Sequence, residues 1–242
     1  MLLIAAVRSV IAYVATVAYV AIAGPVGVVF AAGLRWKRGL YALGHTGVWL
    51  ALGLSGIRYR VAGREHLPAA PAVFCSNHES NVDPLVLFRA LHPYLHILYK
   101  AELHKIPILG TVFDVGGFVA VERGNRDRAL ASIDRGSDSL RAGNSFLIFP
   151  EGTRSRSGEL LPFKKGGFIM ALQASVPIVP VAVQGGRAAM RKGSAIVRPV
   201  HVSVRIGEPI PTAGLTLVDR DALIERVRAR IRVLLDEGPV WT

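Results

Sequence analysis

Ala72-Val73-Phe74-Cys75-Ser76-Asn77-His78-Glu79-Ser80-Asn81-Val82-Asp83-Pro84-Leu85-Val86-Leu87-Phe88 decides how this chain is built. The apolar run Ala72–Cys75 is too short for a helix and predicts a buried strand. Asp83-Pro84 ahead of Leu85–Phe88 predicts a helix start, with aspartate at the N-cap and proline at the first helical position. His78 therefore belongs to a strand-to-helix loop and Asp83 to the mouth of the helix. With four residues between them, the two side chains can turn toward each other. A carboxylate bonded to one ring nitrogen fixes the tautomer and leaves the other nitrogen free to accept a proton. The spacing alone is equally compatible with Asp83 as a plain helix cap and His78 as an ordinary loop histidine.

Working outward, short apolar strands alternate with helical stretches. Strands are predicted at Ile57–Val61, Ala72–Cys75, His96–Tyr99, Phe118–Glu122, Ser145–Phe149, Ile178–Val183 and Val200–Ile206. Helices are predicted at Pro84–Leu91, Arg126–Arg141, Gly166–Ala174 and Asp219–Glu237. Such alternation argues for an α/β fold, a layered domain with a mixed, largely buried sheet flanked by helices. Val176-Pro177-Ile178-Val179-Pro180-Val181 carries two prolines, and proline cannot donate to a ladder. That strand is expected at an edge or at a bulge, as core or as the wall of an acyl-chain groove.

The first 56 residues differ in composition. They contain Arg8, Arg35, Lys37 and Arg38 and no acid, and Ser9 to Leu34 is uncharged over 26 residues. As a helix this stretch would run about 39 Å, enough for a hydrocarbon core of about 30 Å. Gly24-Pro25 is expected to kink or break it. A second apolar segment, Gly39 to Ile57, follows, and Trp36, Tyr41 and Trp49 suit a membrane interface. The division is therefore residues 1–56 as membrane-anchoring helices and 57–242 as the α/β domain. A cleaved signal ending near Ala21-Ile22-Ala23, or two buried core helices, would leave the same composition. If the stretch spans, the basic cluster after it puts the domain on the cytoplasmic side of the cell membrane.

The whole chain carries +12, and removing the four charges of residues 1–56 leaves +8 on the rest. A basic surface beside an apolar anchor favours lipid headgroups or a phosphorylated substrate over nucleic acid, for which no recognisable module is present. The single cysteine, Cys75, permits no internal disulfide and sits in an apolar strand, where a buried thiol is the ordinary outcome.

Phe149-Pro150-Glu151-Gly152-Thr153-Arg154-Ser155 closes another apolar strand with a polar loop, the end of an α/β sheet where ligands bind. Arg154, Arg156, Lys164 and Lys165 could converge there on a phosphate. Arg123, after the strand begun by Gly116-Gly117-Phe118, is a second candidate, and Lys100 a third. Metal and cofactor signatures fail: Val82 stands where a zinc-protease helix needs its second histidine, and no G-x-S-x-G elbow or Walker loop is present. No cofactor is expected.

The His78/Asp83 pair, the Gly117–Arg123 strand, the Phe149–Ser155 loop and the Val176–Val181 strand stand in one order over roughly residues 60 to 185. In this the chain resembles the glycerolipid acyltransferase family with its H-x4-D motif, nearest to the branch that acylates lysophosphatidic acid. His66 stands where that family often has asparagine, and residues 186–242 carry no matching motif. The resemblance implies transfer of a fatty acyl group from acyl-CoA or acyl-carrier protein. The acceptor would be the sn-2 hydroxyl of 1-acyl-glycerol 3-phosphate, a lysophospholipid, and the product phosphatidic acid. It implies His78 and Asp83 as the catalytic pair. It further implies Glu151, Gly152, Thr153 and Arg154 with Arg123, and less directly Lys100, around the acceptor phosphate. Glycerol 3-phosphate, another lysolipid or a lipid headgroup are the alternative acceptors; a non-catalytic protein binding anionic lipid is the reading outside enzymes.

Overall fold

The computed structural model describes residues 2–122, 126–191 and 193–241. Helix α1 (Leu2–Val28) runs on into a π-helical turn, Val29–Gly33, and α2 (Lys37–Ser55) folds back along it. There follow β1 (Ile57–Ala62), β2 (Val73–Ser76), α3 (Asp83–Ala90), β3 (Leu95–Lys100), α4 (Leu109–Gly116) and β4 (Val119–Val121). The chain continues through α5 (Arg126–Arg141), β5 (Ser145–Ile148), α6 (Gly166–Ala174), β6 (Ile178–Gln184) and the single turn α7 (Gly186–Ala189), ending with β7 (Val200–Ile206) and α8 (Arg220–Asp236). Each apolar run predicted as a strand forms one. Helix α4 was not predicted: Gly110, Thr111, Val112 and Val115 give it poor propensity, and it is held by packing on α1 and α2.

The strands make one mixed sheet in the order β1-β7-β6-β2-β5-β3-β4. Pairing is parallel throughout except between β6 and β7. Strand β2 lies in the middle, with Cys75 facing Ile148 of β5 on one side and Pro180 of β6 on the other. Its four residues are all buried. One face of the sheet, through Phe74, Leu147 and Val181, packs with Leu52 of α2 and Leu87 of α3. The opposite face, through Val73, Phe146 and Ile148, packs with Leu140 of α5, Phe168 of α6 and Ile231 of α8.

One expectation is corrected here and a second narrowed. Strand β6 is interior, not an edge. The Pro180 carbonyl accepts from Gly207 N at 2.8 Å, so the missing N–H also points toward the β7 flank. The β6–β7 ladder begins one residue later, at Val181 opposite Ile206, and the proline therefore leaves no broken rung in it. Of the two outcomes expected at Gly24-Pro25, the break does not occur: α1 passes through Pro25 and widens into the π turn four residues on.

The topology makes a crevice. From β2 the chain leaves over one face through α3 to β3; from the adjacent β5 it leaves over the other face through α6 to β6. The loops after β2 and β5 part at the carboxyl ends of neighbouring parallel strands, the switch point where open α/β sheets hold ligands.

Candidate active site

The loop leaving β2 is pinned residue by residue. The buried Asn77 amide donates to Val183 O at 2.9 Å and accepts from Val183 N at 2.8 Å, extending the bonding between β2 and β6 past the last ladder pair. His78 N donates to Glu151 Oε1 at 2.8 Å, and His78 O accepts from Ser155 N at 2.8 Å. The histidine backbone is thus clamped to the loop leaving β5. Its ring stacks on Phe149, centroids 4.2 Å apart, and its Nδ1 lies 3.0 Å from Asp83 Oδ2.

Asp83 is completely buried, while the His78 side chain keeps 15% of its surface. The same Oδ2 accepts from Glu79 N and Ser80 N, both at 2.7 Å. This corrects the expected capping role: Asp83 makes no side-chain bond to its own helix, and Val82 occupies the N-cap. The carboxylate reaches backward instead, because the loop that carries His78 curls over it. As a carboxylate only accepts, Nδ1 is the nitrogen that carries the proton, and Nε2 is left with its lone pair.

Two more acids lie in this wall. Burial and the neighbouring Asp83 push the Glu79 carboxyl up to about 7, against the N–H and charge of Arg187. Burial also raises Glu151, partly offset by the N–H groups of Leu161 and His78. Glu151 Oε2 accepts from Leu161 N at 3.0 Å, so both its oxygens are taken by backbone. That is a correction to its expected place beside a phosphate: Glu151 faces inward and ties two loops together. Cys75 is fully buried, and burial holds its thiol well above the ordinary range, which leaves it no nucleophilic role.

On the open side of His78 lies a cavity of about 1390 Å³. Its polar lining includes His78, Gly152, Thr153, Arg154, Lys100 and Lys164. Gly152 has φ +65°, and a Cβ there would come within 2.8 Å of the Lys164 side chain, so the glycine lets that lysine lie across the loop. Lys164 N donates to Pro150 O at 2.7 Å, closing the loop on itself. Lys100 is half exposed and paired with Glu102 at 2.9 Å. Of the four basic residues expected to converge, Arg154 and Lys164 line the cavity; Arg156 and Lys165 do not, and Lys165 pairs with Asp221 at 3.3 Å. Arg123 falls outside the described residues. Its apolar lining includes Tyr19 and Val20 of α1, Leu40 and Val48 of α2, and Val112 and Phe113 of α4. The Val176–Val181 segment is core and does not line it.

Sequence reasoning passed over the Asn77 staple, the stacking role of Phe149, and the N-terminal helices as walls of the cavity. Asn77 stood in the quoted stretch, but its partner lies on a strand more than a hundred residues away.

Residues 58–184 match the family model described as Acyltransferase. The 1-acyl-sn-glycerol-3-phosphate acyltransferase of Limnanthes douglasii is 34% identical over 76% of this chain and 66% of its own. The enzyme of that name from Saccharomyces cerevisiae is 33% identical over 75% and 61%, and the human 1-acyl-sn-glycerol-3-phosphate acyltransferase beta 35% over 73% and 64%. The chain thus spans just under two thirds of the length of these relatives. Among solved structures, the crystal structure of the 1-acyl-sn-glycerophosphate (LPA) acyltransferase PlsC from Thermotoga maritima superposes with a TM-score of 0.75 over 95% of this chain and 97% of its own, at 24% identity. At that identity the likeness is one of fold.

Proposed function

The chain belongs to the acyltransferase family, and on that premise we propose that it acylates the sn-2 hydroxyl of 1-acyl-glycerol 3-phosphate to give phosphatidic acid. The acyl donor is a thioester, acyl-CoA or acyl-carrier protein. The observation that carries this reading is the cavity: His78, Arg154 and Lys164 share its lining with apolar side chains from the N-terminal helices and α4. A lysophospholipid needs that combination of hydroxyl, phosphate and chain.

In this reading His78 Nε2 takes the proton as the acceptor oxygen attacks the thioester carbonyl. Asp83 holds Nδ1–H and stabilises the imidazolium that forms. The tetrahedral intermediate collapses with loss of the C–S bond, and the same proton passes to the departing sulfur. A thioester is already activated, so no acyl-enzyme is required. Arg154 and Lys164 hold the acceptor phosphate, with Thr153 and Gly152 shaping the loop between them, Lys100 at the rim, and Arg123 a candidate beside it. Glu151 acts on the backbone of His78.

Within residues 1–56, α1 then serves as the anchor. Leu3–Gly33 is long and apolar enough to cross a membrane. Yet α1 is fastened to the domain: Ser9 exchanges hydrogen bonds with Val197, the Tyr13 hydroxyl donates to Ala195 O at 2.7 Å, and Arg8 donates to Leu54 O. Leu3, Val7, Val10, Val14 and Val17 remain exposed on the other side. This favours a helix lying in one leaflet of the cell membrane, with the cavity open to lipid. Helix α2, with Leu40, Tyr41 and Leu52 buried, belongs to the domain's packing more than to the anchor.

The test is thiol release from acyl-CoA with lysophosphatidic acid, glycerol 3-phosphate or no acceptor, in detergent or vesicles. Lysophosphatidic acid is expected to be acylated. Acylation of glycerol 3-phosphate alone overturns the acceptor; His78→Ala turning over like the parent enzyme overturns the base.

A further inference from the structure

We infer that Gly186, in the glycine pair that follows β6, is a positioning residue for the His78–Asp83 pair, fixing the aspartate by leaving room for one of its oxygens and no more. The inference rests on His78 as the base. Asp83 Oδ2 receives three donors, but Oδ1 is buried without a hydrogen-bond partner among the described residues. What lies against it is Gly186. A Cβ on that residue would stand 2.1 Å from Oδ1, 3.3 Å from Asp83 Cγ and 3.2 Å from Ser80 Cβ. No heavy atoms approach that closely, so one side must move.

The requirement for glycine does not come from the backbone. Gly185 has φ +95° and would strain with any other residue, whereas Gly186 lies outside the left-handed region and its dihedrals suit any L residue. Asp83 is the main bar to a side chain there, with Ser80 Cβ crowding it to a lesser degree. The turn cannot easily retreat, since Met190 N donates to Gly186 O at 3.1 Å and Ser80 Oγ donates to Met190 O at 3.0 Å. Arg187, the next residue along the turn, bears on the Glu79 carboxyl through its N–H and its charge. Asp83 is held on its other oxygen by the Glu79 and Ser80 amides and by His78. A methyl group at position 186 therefore rotates or displaces the carboxylate, and the first bond to suffer is the 3.0 Å contact with Nδ1, the longest of the three. A segment outside the matched family region thereby sets the orientation of the base.

Gly186→Ala tests this by separating positioning from binding. The expected result is a fall in kcat of about tenfold to a hundredfold, as for a catalytic group misplaced by about an ångström, with both substrate KM values unchanged. The downfield proton resonance of a carboxylate-bonded Nδ1–H should weaken or vanish, as in Asp83→Asn. In the Asp83→Asn background the same substitution should cost little more, because the bond it disturbs is already altered. Retention of parental kcat, or an equal loss in both backgrounds, overturns the inference. If Gly186→Ala does not fold, adding Asp83→Ala removes the opposing oxygen and should restore folding; failure to restore it also overturns the inference. His78→Ala assayed alongside keeps the premise separate: parental activity there sinks the base assignment, whatever position 186 does.

Discussion

The loops after β2 and β5 leave neighbouring strands at the same end of the sheet, yet they are built on opposite plans. In residues 77–83, Asn77, His78 and Asp83 are locked to named partners, and Asp83 has no exposed surface. In residues 149–165 the backbone is fixed by Glu151 and by the Lys164–Pro150 bond, while the cations are carried outward on long side chains. The difference follows from the two tasks. Proton transfer needs direction, and an imidazole turned by tens of degrees loses its alignment. Holding a phosphate needs charge at a place, which a flexible stem can deliver from several rotamers.

The sharpest way to break this contrast is His78→Ala. It should lower kcat about 10²- to 10⁴-fold and leave the acceptor KM nearly unchanged, measured by thiol release. Next comes Arg154→Ala, which should raise the acceptor KM about tenfold or more through a lost charge-assisted bond, with a smaller change in kcat. A fall confined to kcat would mean that the second loop also orients the reaction. Lys164→Ala should raise the same KM about threefold to tenfold, more at low salt than at high, and Lys164→Arg should retain most of the binding.

A different readout, stability, tests the packing of the first loop. The folded Glu79 carboxyl sits at about 7 and its reference value is 4.5. Between those pH values the folded protein keeps a proton that the unfolded chain has released, so stability falls as pH rises through this window and is level above it. The loss is at most about 3 kcal/mol. Glu79→Gln removes the titration while retaining an acceptor for the Arg187 N–H. Its melting temperature should gain on the parent's by several degrees more at pH 8 than at pH 5. An identical difference at both pH values would mean that Glu79 titrates normally.

The exposed outer face of α1 offers a separate check on the anchor. Val10→Asp with Val14→Asp should lower sedimentation with lipid vesicles severalfold without altering turnover of a detergent-dispersed acceptor, as charges at two exposed apolar positions oppose burial in lipid. Unchanged sedimentation would remove α1 from the membrane contact.

Much of the architecture was readable along the chain. Arg126–Arg141 and Gly166–Ala174 form helices over the residues predicted, since amphipathic period and glycine boundaries are local signals. Helix α4 escaped because tertiary packing, not propensity, holds it. Of the site, the approach of His78 to Asp83 could be anticipated from a five-residue step inside one loop. The inward turn of Glu151 could not, because its two donors, His78 N and Leu161 N, lie 73 residues before it and ten after.

By itself the sequence determined where the strands and the amphipathic helices form, which end of the chain is apolar enough for lipid, and that histidine, aspartate and arginine cluster in strand-end loops. These are short-range properties, set by periodicity, propensity and the chemistry of residues a few positions apart. Only the tertiary structure decided that a proline-bearing strand runs inside the sheet, that Asp83 reaches back to its loop instead of capping its helix, and that Gly186 closes against it. Those outcomes depend on which loops meet at the carboxyl ends of β2, β5 and β6. Hydrogen-bond partners and steric limits are chosen there among residues that no local pattern connects.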